Sequence, residues 1–406
     1  MSAQSMSNRI LVIAPTPFFA DRGCHVRILG EIRALQKLGY EARLCTYHLG
    51  RDIHGIDTVR TMNIPWYHKL SAGPSIHKFY IDLFLLWDVW RVCRSFRPGI
   101  LHAHLHEGIV IGKLVSLWYG IPMVADLQGS LTEEVLDHNF LPRWKWLVGV
   151  VQWIEKQVNR MPLHLITSAS RTTQQVKQSY GISTVSTIGD GVDLELFSQQ
   201  PKDVALQNEL GIGSDDKVVV FIGVLTSYQG IDLLLDSALQ VFKQIPTAKF
   251  LIMGFPEEAY RKKAIDMGLQ DNVIFTGKIE YADAARYLSL GHVAVSPKVS
   301  SSEANLKLFT YMAMGLPCVV FDNPVNREIL DDLGVYAENG DPQAFAQKIV
   351  SLLQDSKHAK TLGDACYQKA SSEYSWDVVG QRLLGIYERY TPPDLTQQHL
   401  GGELNG

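Results

Sequence analysis

Short, nearly continuous apolar runs alternate along this chain with longer stretches in which apolar residues recur at every third or fourth position. Ile10–Ala14 reads as a buried strand, followed by the loop Pro15–Gly23 and a helical stretch to Leu38 that Gly39 ends. Tyr40–Tyr47 is the next predicted strand, Ser75–Phe96 a long helix, and Ile100–His104 another short strand. A helix over 108–118 stops before Gly120-Ile-Pro, and the strand Met123–Ala125 runs into Asp126-Leu-Gln-Gly-Ser130. Leu163–Thr167 and Val185–Ile188 bracket one more helix.

The alternation pauses at Gly189-Asp-Gly-Val-Asp-Leu-Glu-Leu-Phe197 and the chain then becomes polar through Ser214, which reads as an interdomain connection. A second set then begins: strand Val218–Ile222, helix Ile231–Gln244, strand Lys249–Met253, helix Glu257–Met267, strand Val273–Phe275, helix Tyr281–Leu290 and strand Val293–Ser296. The stretch Ser300–Pro317 follows, polar at first and then apolar at helical spacing, with Gly315-Leu-Pro as its stop. Two helices are expected within 342–372, and a last one, Trp376–Arg389.

Strands alternating with helices imply a parallel, doubly wound α/β sheet, here twice. The predicted division is 1–193 and 194–375, with helix 376–390 returning to the first domain and 391–406 a disordered tail poor in apolar residues. Such sheets bind ligands outside the carboxyl ends of their strands, so two of them facing across a cleft would line it with post-strand loops. These loops are Pro15–Gly23, His104–Glu107, Asp126–Ser130, Gly223–Gly230, Gly254–Glu257, Gly277–Glu280 and Pro297–Asn305. The helix start in Ser300–Pro317 offers unpaired backbone N–H groups to an anion, with Glu303 and Lys307 beside it.

Composition narrows the function. A chain of 406 residues, 46% apolar and 20% charged, suits a multidomain globular protein. A formal charge of −4 gives nucleic acid no basic excess to bind. The five cysteines are scattered, without a CxxC pair, and read as reduced thiols of a cytoplasmic protein. No targeting segment is evident, and Asp82 and Asp88 interrupt the apolar run Ile81–Trp90. Neither half carries GxGxxG after its first strand, which argues against a nicotinamide-dependent dehydrogenase.

Pro17-Phe with Gly23, Gly189-Asp-Gly-Val-Asp193, Gly223 with Gly230, and Lys307-Leu-Phe-Thr-Tyr-Met-Ala-Met-Gly-Leu-Pro317 together resemble glycosyltransferase family 4 over about 9–390. The resemblance implies a GT-B fold and a retaining enzyme without an essential metal or cofactor. A nucleotide sugar would be held mainly by the second domain, and a glycan, lipid or lipid-linked acceptor mainly by the first.

The family's Arg and Lys after the second domain's first strand correspond here to Val224 and Gln229, and the second of its two glutamates to Thr310. Glu303 matches the first glutamate, near the reaction centre. Positive charge for the departing diphosphate would come from Lys307, Lys298 and Arg22. The remaining donor-side candidates are Gly23, Gly223, Gly254, Phe255, Ile279, Ser302, Asn305 and Leu306, with Phe255 able to stack on a base. A uridine nucleotide is expected from the family alone.

Where the family places a histidine before glycine, this chain has Gln128, which can hydrogen-bond a sugar hydroxyl but carry no proton; Asp126 is the nearest carboxylate. His102, His104 and His106 share one face of a strand end. The outer two lie ~13 Å apart at the strand's rise, too far for one ion, so His104 and His106 read as an acceptor-side wall. Basic and tryptophan-rich stretches at 69–97 and 141–160 suit a peripheral contact with the inner face of a membrane, or equally the solvated faces of ordinary helices. The rival to an enzyme is a nucleotide-sugar-binding protein of the same fold whose transfer activity has lapsed.

Overall fold

The computed structural model describes residues 8–20, 23–70, 75, 77–132, 135, 144–299 and 305–391. They form two compact units, one running to Gly189 and resuming at Asp377, the other spanning Asp190–Trp376.

The first unit contains β1 (Arg9–Ala14), α1 (Gly23–Lys37), β2 (Glu41–Thr46), β3 (Asp57–Arg60), α2 (Lys78–Phe96), β4 (Ile100–His104) and α3 (Leu105–Tyr119). β5 (Met123–Leu127), α4 (Lys145–Asn159), β6 (His164–Thr167), α5 (Ser170–Tyr180) and β7 (Val185–Thr187) complete it. Its seven strands lie in the order β3-β2-β1-β4-β5-β6-β7, and every pairing is parallel. Helices cover both faces of such a sheet, which is why Ile10, Leu11 and Ile13 are all fully buried.

The second unit opens with α6 (Val204–Glu209), then runs β8 (Lys217–Ile222), α7 (Ile231–Gln244), β9 (Ala248–Met253), α8 (Glu258–Asp266), β10 (Val273–Phe275) and α9 (Ala284–Leu288). It continues through β11 (Val293–Ser296), α10 (Lys307–Ala313), β12 (Cys318–Phe321), α11 (Pro324–Leu330), β13 (Val335–Ala337), α12 (Pro342–Gln354) and α13 (Ser356–Glu373). The six strands are ordered β10-β9-β8-β11-β12-β13, again all parallel. Strand order reverses between β1 and β4 in one unit and between β8 and β11 in the other, the positions where doubly wound sheets bind ligands.

α14 (Trp376–Tyr387) carries the chain back to the first unit, where the Tyr387 hydroxyl lies 2.6 Å from His102 Nδ1. Just before it, Val192 pairs with Ser375 as an isolated parallel bridge, so the linker and the end of α13 run side by side.

The polar segment after Phe197 is more than a connection. It contains α6, capped by the Asp203 carboxylate accepting from Leu206 N–H at 3.0 Å, and Leu206, Ile212 and Phe197 join the second unit's core. A six-residue helix with a single buried residue, Leu206, is too short to give a helical periodicity. The edge strand β3 has no apolar run either and exists through its pairing with β2. Among the described residues of Ser300–Pro317, the helix begins at Lys307, so Lys307 lies in its first turn.

Tyr311 ties the second unit's switch point together: its hydroxyl accepts from Ile222 N–H at 2.9 Å and donates to Val295 O at 3.3 Å. Tyr311→Phe leaves a buried N–H and C=O without that partner and should lower stability by about 1–3 kcal/mol in urea unfolding. An unchanged midpoint would refute the assignment.

Candidate active site

In the second unit, the loops after β8, β9 and β11 are built on close backbone approach. A side chain at Gly254 would collide with the Gly223 carbonyl, and one at Gly230, whose φ is +78°, with the carbonyl of Pro297. Gly223 N–H donates to Met253 O and Leu225 N–H to Phe255 O, so the first two loops are knitted together.

Lys307 projects into this junction. Its Nζ donates to Gln229 Oε1 at 2.7 Å and to Asn305 Oδ1 at 3.2 Å, and lies 5.5 Å from the Phe221 ring centre. Amide oxygens carry no formal charge, so these two bonds orient the ammonium without cancelling it. Buried Asn305 is held in turn, its Nδ2 donating to Ser296 Oγ at 3.0 Å and to Asn326 Oδ1 at 2.9 Å. Asn326 is fixed by its own bonds to Asn323 and Phe321, and Asn323 Nδ2 reaches the carbonyl of Lys298. Lys298, expected as a loop cation, is 3% exposed.

Gly223, Gln229, Gly254, Asn305 and Lys307 are therefore brought together, with Leu306 half-buried beside Lys307. Phe255 is 45% exposed after β9 with Lys278 Nζ 6.0 Å from its ring, an open face suited to stacking. Ile279 packs against the core instead, and Thr310 is half-buried on α10. Arg22, Ser302 and Glu303 lie outside the described residues.

The first unit's switch point holds a dense buried charge network. Arg27 of α1 donates to both Asp126 oxygens, at 2.8 and 3.0 Å, and to Ile188 O, and lies 3.1 Å from Glu31. His104 Nδ1 is 3.2 Å from Asp126, and its Nε2 is 3.6 Å from Glu31. Gln128 Nε2 donates to Asp126 at 3.2 Å, which turns the amide oxygen of this half-exposed side chain away from the carboxylate. Burial alone would raise the Asp126 carboxyl, but Arg27 and His104 outweigh it and hold it well below the ordinary carboxylate range. Burial keeps His102 neutral by lowering its pKa well below the usual value.

Asp126 and His104 are thus positioning groups, 0% and 1% exposed, and Gln128 is the member of the set that reaches the surface. His106 points elsewhere, with Nε2 3.9 Å from Glu155, whose carboxylate accepts from Ser130 and from the Leu131 and Thr132 N–H groups. Gly23 starts α1. Glu31, His102 and His104 each offer a ligand atom within 4.8 Å of the others. The two imidazoles, however, stack at 4.5 Å and 28°, so their in-plane lone pairs run alongside one another, and Arg27 already grips Glu31. This geometry favours a hydrogen-bonded charge network over a chelate.

Sequence reasoning missed Arg27, Glu31, Tyr387 and Asn326. A signal existed for the first two: an i,i+4 Arg–Glu pair on the same helix face as Ile28 and Leu35 is out of place unless a partner waits in the core.

Two parallel-sheet Rossmann-like units, each with a polar constellation at its switch point, define the GT-B class of fold. The family model described as "Glycosyl transferase 4-like domain" matches residues 22–187, and "Glycosyl transferases group 1" matches 216–355. The chain belongs to this glycosyltransferase family. It is 25% identical over 306 residues to a D-inositol 3-phosphate glycosyltransferase of Segniliparus rotundus, covering 72% of this chain and 66% of that protein. It is 24% identical over 329 residues to a GDP-mannose-dependent monoacylated alpha-(1-6)-phosphatidylinositol monomannoside mannosyltransferase of Corynebacterium glutamicum, covering 76% and 85%. Among solved structures, Anabaena HepE in complex with UDP and glucose superposes with a TM-score of 0.73 at 17% identity, over 93% of this chain and 98% of that one.

The buried network should make the protein less stable in acid. An unfolded histidine takes a proton below about pH 6.5, whereas His102 resists it in the fold. Its contribution is therefore present above about 6.5 and is lost as pH falls, by about 1.4 kcal/mol per pH unit; Asp126 adds a further loss below about 4. Thermal melting should drop between pH 7.5 and 5.5, and His102→Asn should flatten that slope, leaving the part due to His48, to His164 and to His292, which burial pushes down to about 4. An identical slope in the variant would remove His102 from the account.

Proposed function

We propose that this glycosyltransferase moves a sugar, with retention of anomeric configuration and without a metal, from a nucleoside-diphosphate sugar to a glycan, lipid or lipid-linked acceptor. The observation that carries the reading is Lys307, aimed by Gln229 and Asn305 into the glycine-built switch point of the second unit. There its charge would stabilise the diphosphate as the glycosyl bond breaks, with Phe255 stacking on the base. Gln128, oriented by Asp126, would accept a hydrogen bond from a sugar hydroxyl. Glu303 is assigned to the reaction centre on the resemblance to the family. UDP is the favoured nucleotide because HepE is similar in fold and was solved with UDP, while the Corynebacterium relative, named for GDP-mannose, makes guanosine the alternative to test. Cytoplasmic pools would supply either donor.

The uncharged Val224 and Gln229, and Thr310 in place of the second glutamate, favour one rival, a protein that binds the nucleotide sugar without transferring it.

A panel of nucleotide sugars screened by thermal shift separates the two, because a ligand of the folded state raises the melting temperature. Stabilisation followed by release of the nucleoside diphosphate supports transfer. Stabilisation that never leads to release, with any acceptor, supports the rival. Lys307→Ala removes a charge-assisted contact of about 1.5–3 kcal/mol and should weaken donor binding roughly 10- to 150-fold. Glu303→Ala should reduce turnover far more than binding. Near-wild-type activity in either variant would withdraw that residue from the site.

A further inference from the structure

α4 carries large apolar residues on its outer side as well as its inner one. Its buried residues are Glu155, Val158 and Asn159, while Trp146, Val150 and Trp153 stand exposed along its outer side. An amphipathic helix of an ordinary domain keeps charged and polar residues there. Glu155 is 2% exposed because it caps the Ser130–Thr132 backbone, and that requirement fixes the rotation of the helix.

The neighbouring helices carry the same pattern. α3 packs against both α2 and α4. On α2, Phe79, Leu83 and Trp87 follow one another at i, i+4 and i+8 and are 78%, 56% and 61% exposed. On α3, Leu114, Leu117 and Trp118 are exposed in the same way, Trp118 at 74%. Trp87, Trp118, Trp146 and Trp153 are each more than 60% exposed. Each thereby presents on the order of 100 Å² of ring, and together they reach the ~300–600 Å² of the largest apolar patch on a typical monomer.

Charge on this face has one sign. The acids of the three helices all turn inward: Asp82 to the Tyr47 hydroxyl, Asp88 under Arg91, Glu107 to Lys78, and Glu155 to the backbone it caps. Lys145, Arg91 and Arg94 remain on the outside, with Lys113 and Lys156 half-exposed.

We propose that the outer face of α2, α3 and α4 is a membrane-docking surface that sits in the interface of an anionic lipid layer. Tryptophan rings on apolar stripes place themselves at headgroup depth, and the basic fringe answers the negative surface. No helix among the described residues is long and apolar enough to cross a membrane, so the mode is interfacial. The proposal rests on this surface alone and is independent of the donor site. It would bring a lipid acceptor to the protein by confining both to one plane.

The test uses the full chain in flotation with phosphatidylglycerol vesicles, with phosphatidylcholine vesicles as the comparison. Wild type should float with the anionic vesicles and less so at high salt, and acyl chains brominated near the headgroup should quench its tryptophan emission. The triple variant Trp87→Gln, Trp118→Gln, Trp153→Gln should lose at least about tenfold in partition, with its melting temperature and its stabilisation by donor nucleotide retained. A protein that stays unbound at low salt overturns the proposal. So does a concentration-dependent dimer in sedimentation that the triple variant abolishes, since a second copy would then cover the face. Quenching in wild type needs no variant, so a triple variant that misfolds leaves the test standing. Loss of nucleotide stabilisation in wild type would count against the donor site, not against this surface.

Discussion

The first unit depends on a salt bridge that is almost wholly out of water. Arg27 on α1 grips Asp126 on β5 with two charge-assisted bonds, and the partners are 2% and 0% exposed. A buried pair of this kind is strongly destabilising to break, because either charge left alone has no solvent to turn to. The rest of the network answers to it. His104 and Gln128 hydrogen-bond the same carboxylate, Glu31 leans on the same guanidinium, and His102, stacked on His104, hydrogen-bonds Tyr387 near the end of α14. A helix, two strands and the returning α14 are thereby fixed around one spot at the sheet's switch point.

The second unit solves the corresponding problem with backbone and amides. Its loops approach so closely that glycine is required at Gly254 and Gly230, and a chain of asparagines runs from Asn323 through Asn326 to Asn305 beneath Lys307. Two amide oxygens, of Gln229 and Asn305, fix the direction in which that lysine points. Where the family resemblance leads one to expect charged residues at 224 and 229, the glutamine has become an orienting group for the remaining cation.

The same logic of inward polarity shapes the outside of the first unit. With Glu155 held inward by the loop it caps, Trp146, Val150 and Trp153 of α4 face the exterior, and exposed apolar residues of α2 and α3 extend that surface. Surface chemistry here follows from an internal hydrogen-bond requirement.

Much of this could be read from the chain directly. Alternating apolar runs and helical stretches determined two parallel-sheet domains, because strands buried on both faces need continuous apolar runs and their crossovers need helices. That the loops after β8, β9 and β11 meet beside Lys307 was legible from the order of the elements, because they share the carboxyl edge of one sheet; their reading as a donor side came from the family resemblance. Short elements such as α6 and β3 were not, since they owe their form to a core or a neighbouring strand already in place. What only the tertiary structure decided was the direction in which polar faces point. Periodicity tells which residues share a face of α1 or α4, but whether Arg27 and Glu155 turn inward depends on partners elsewhere in the chain. For Arg27 the partner lies 99 residues away, and burial of its charge becomes affordable only once the fold has brought Asp126 to it.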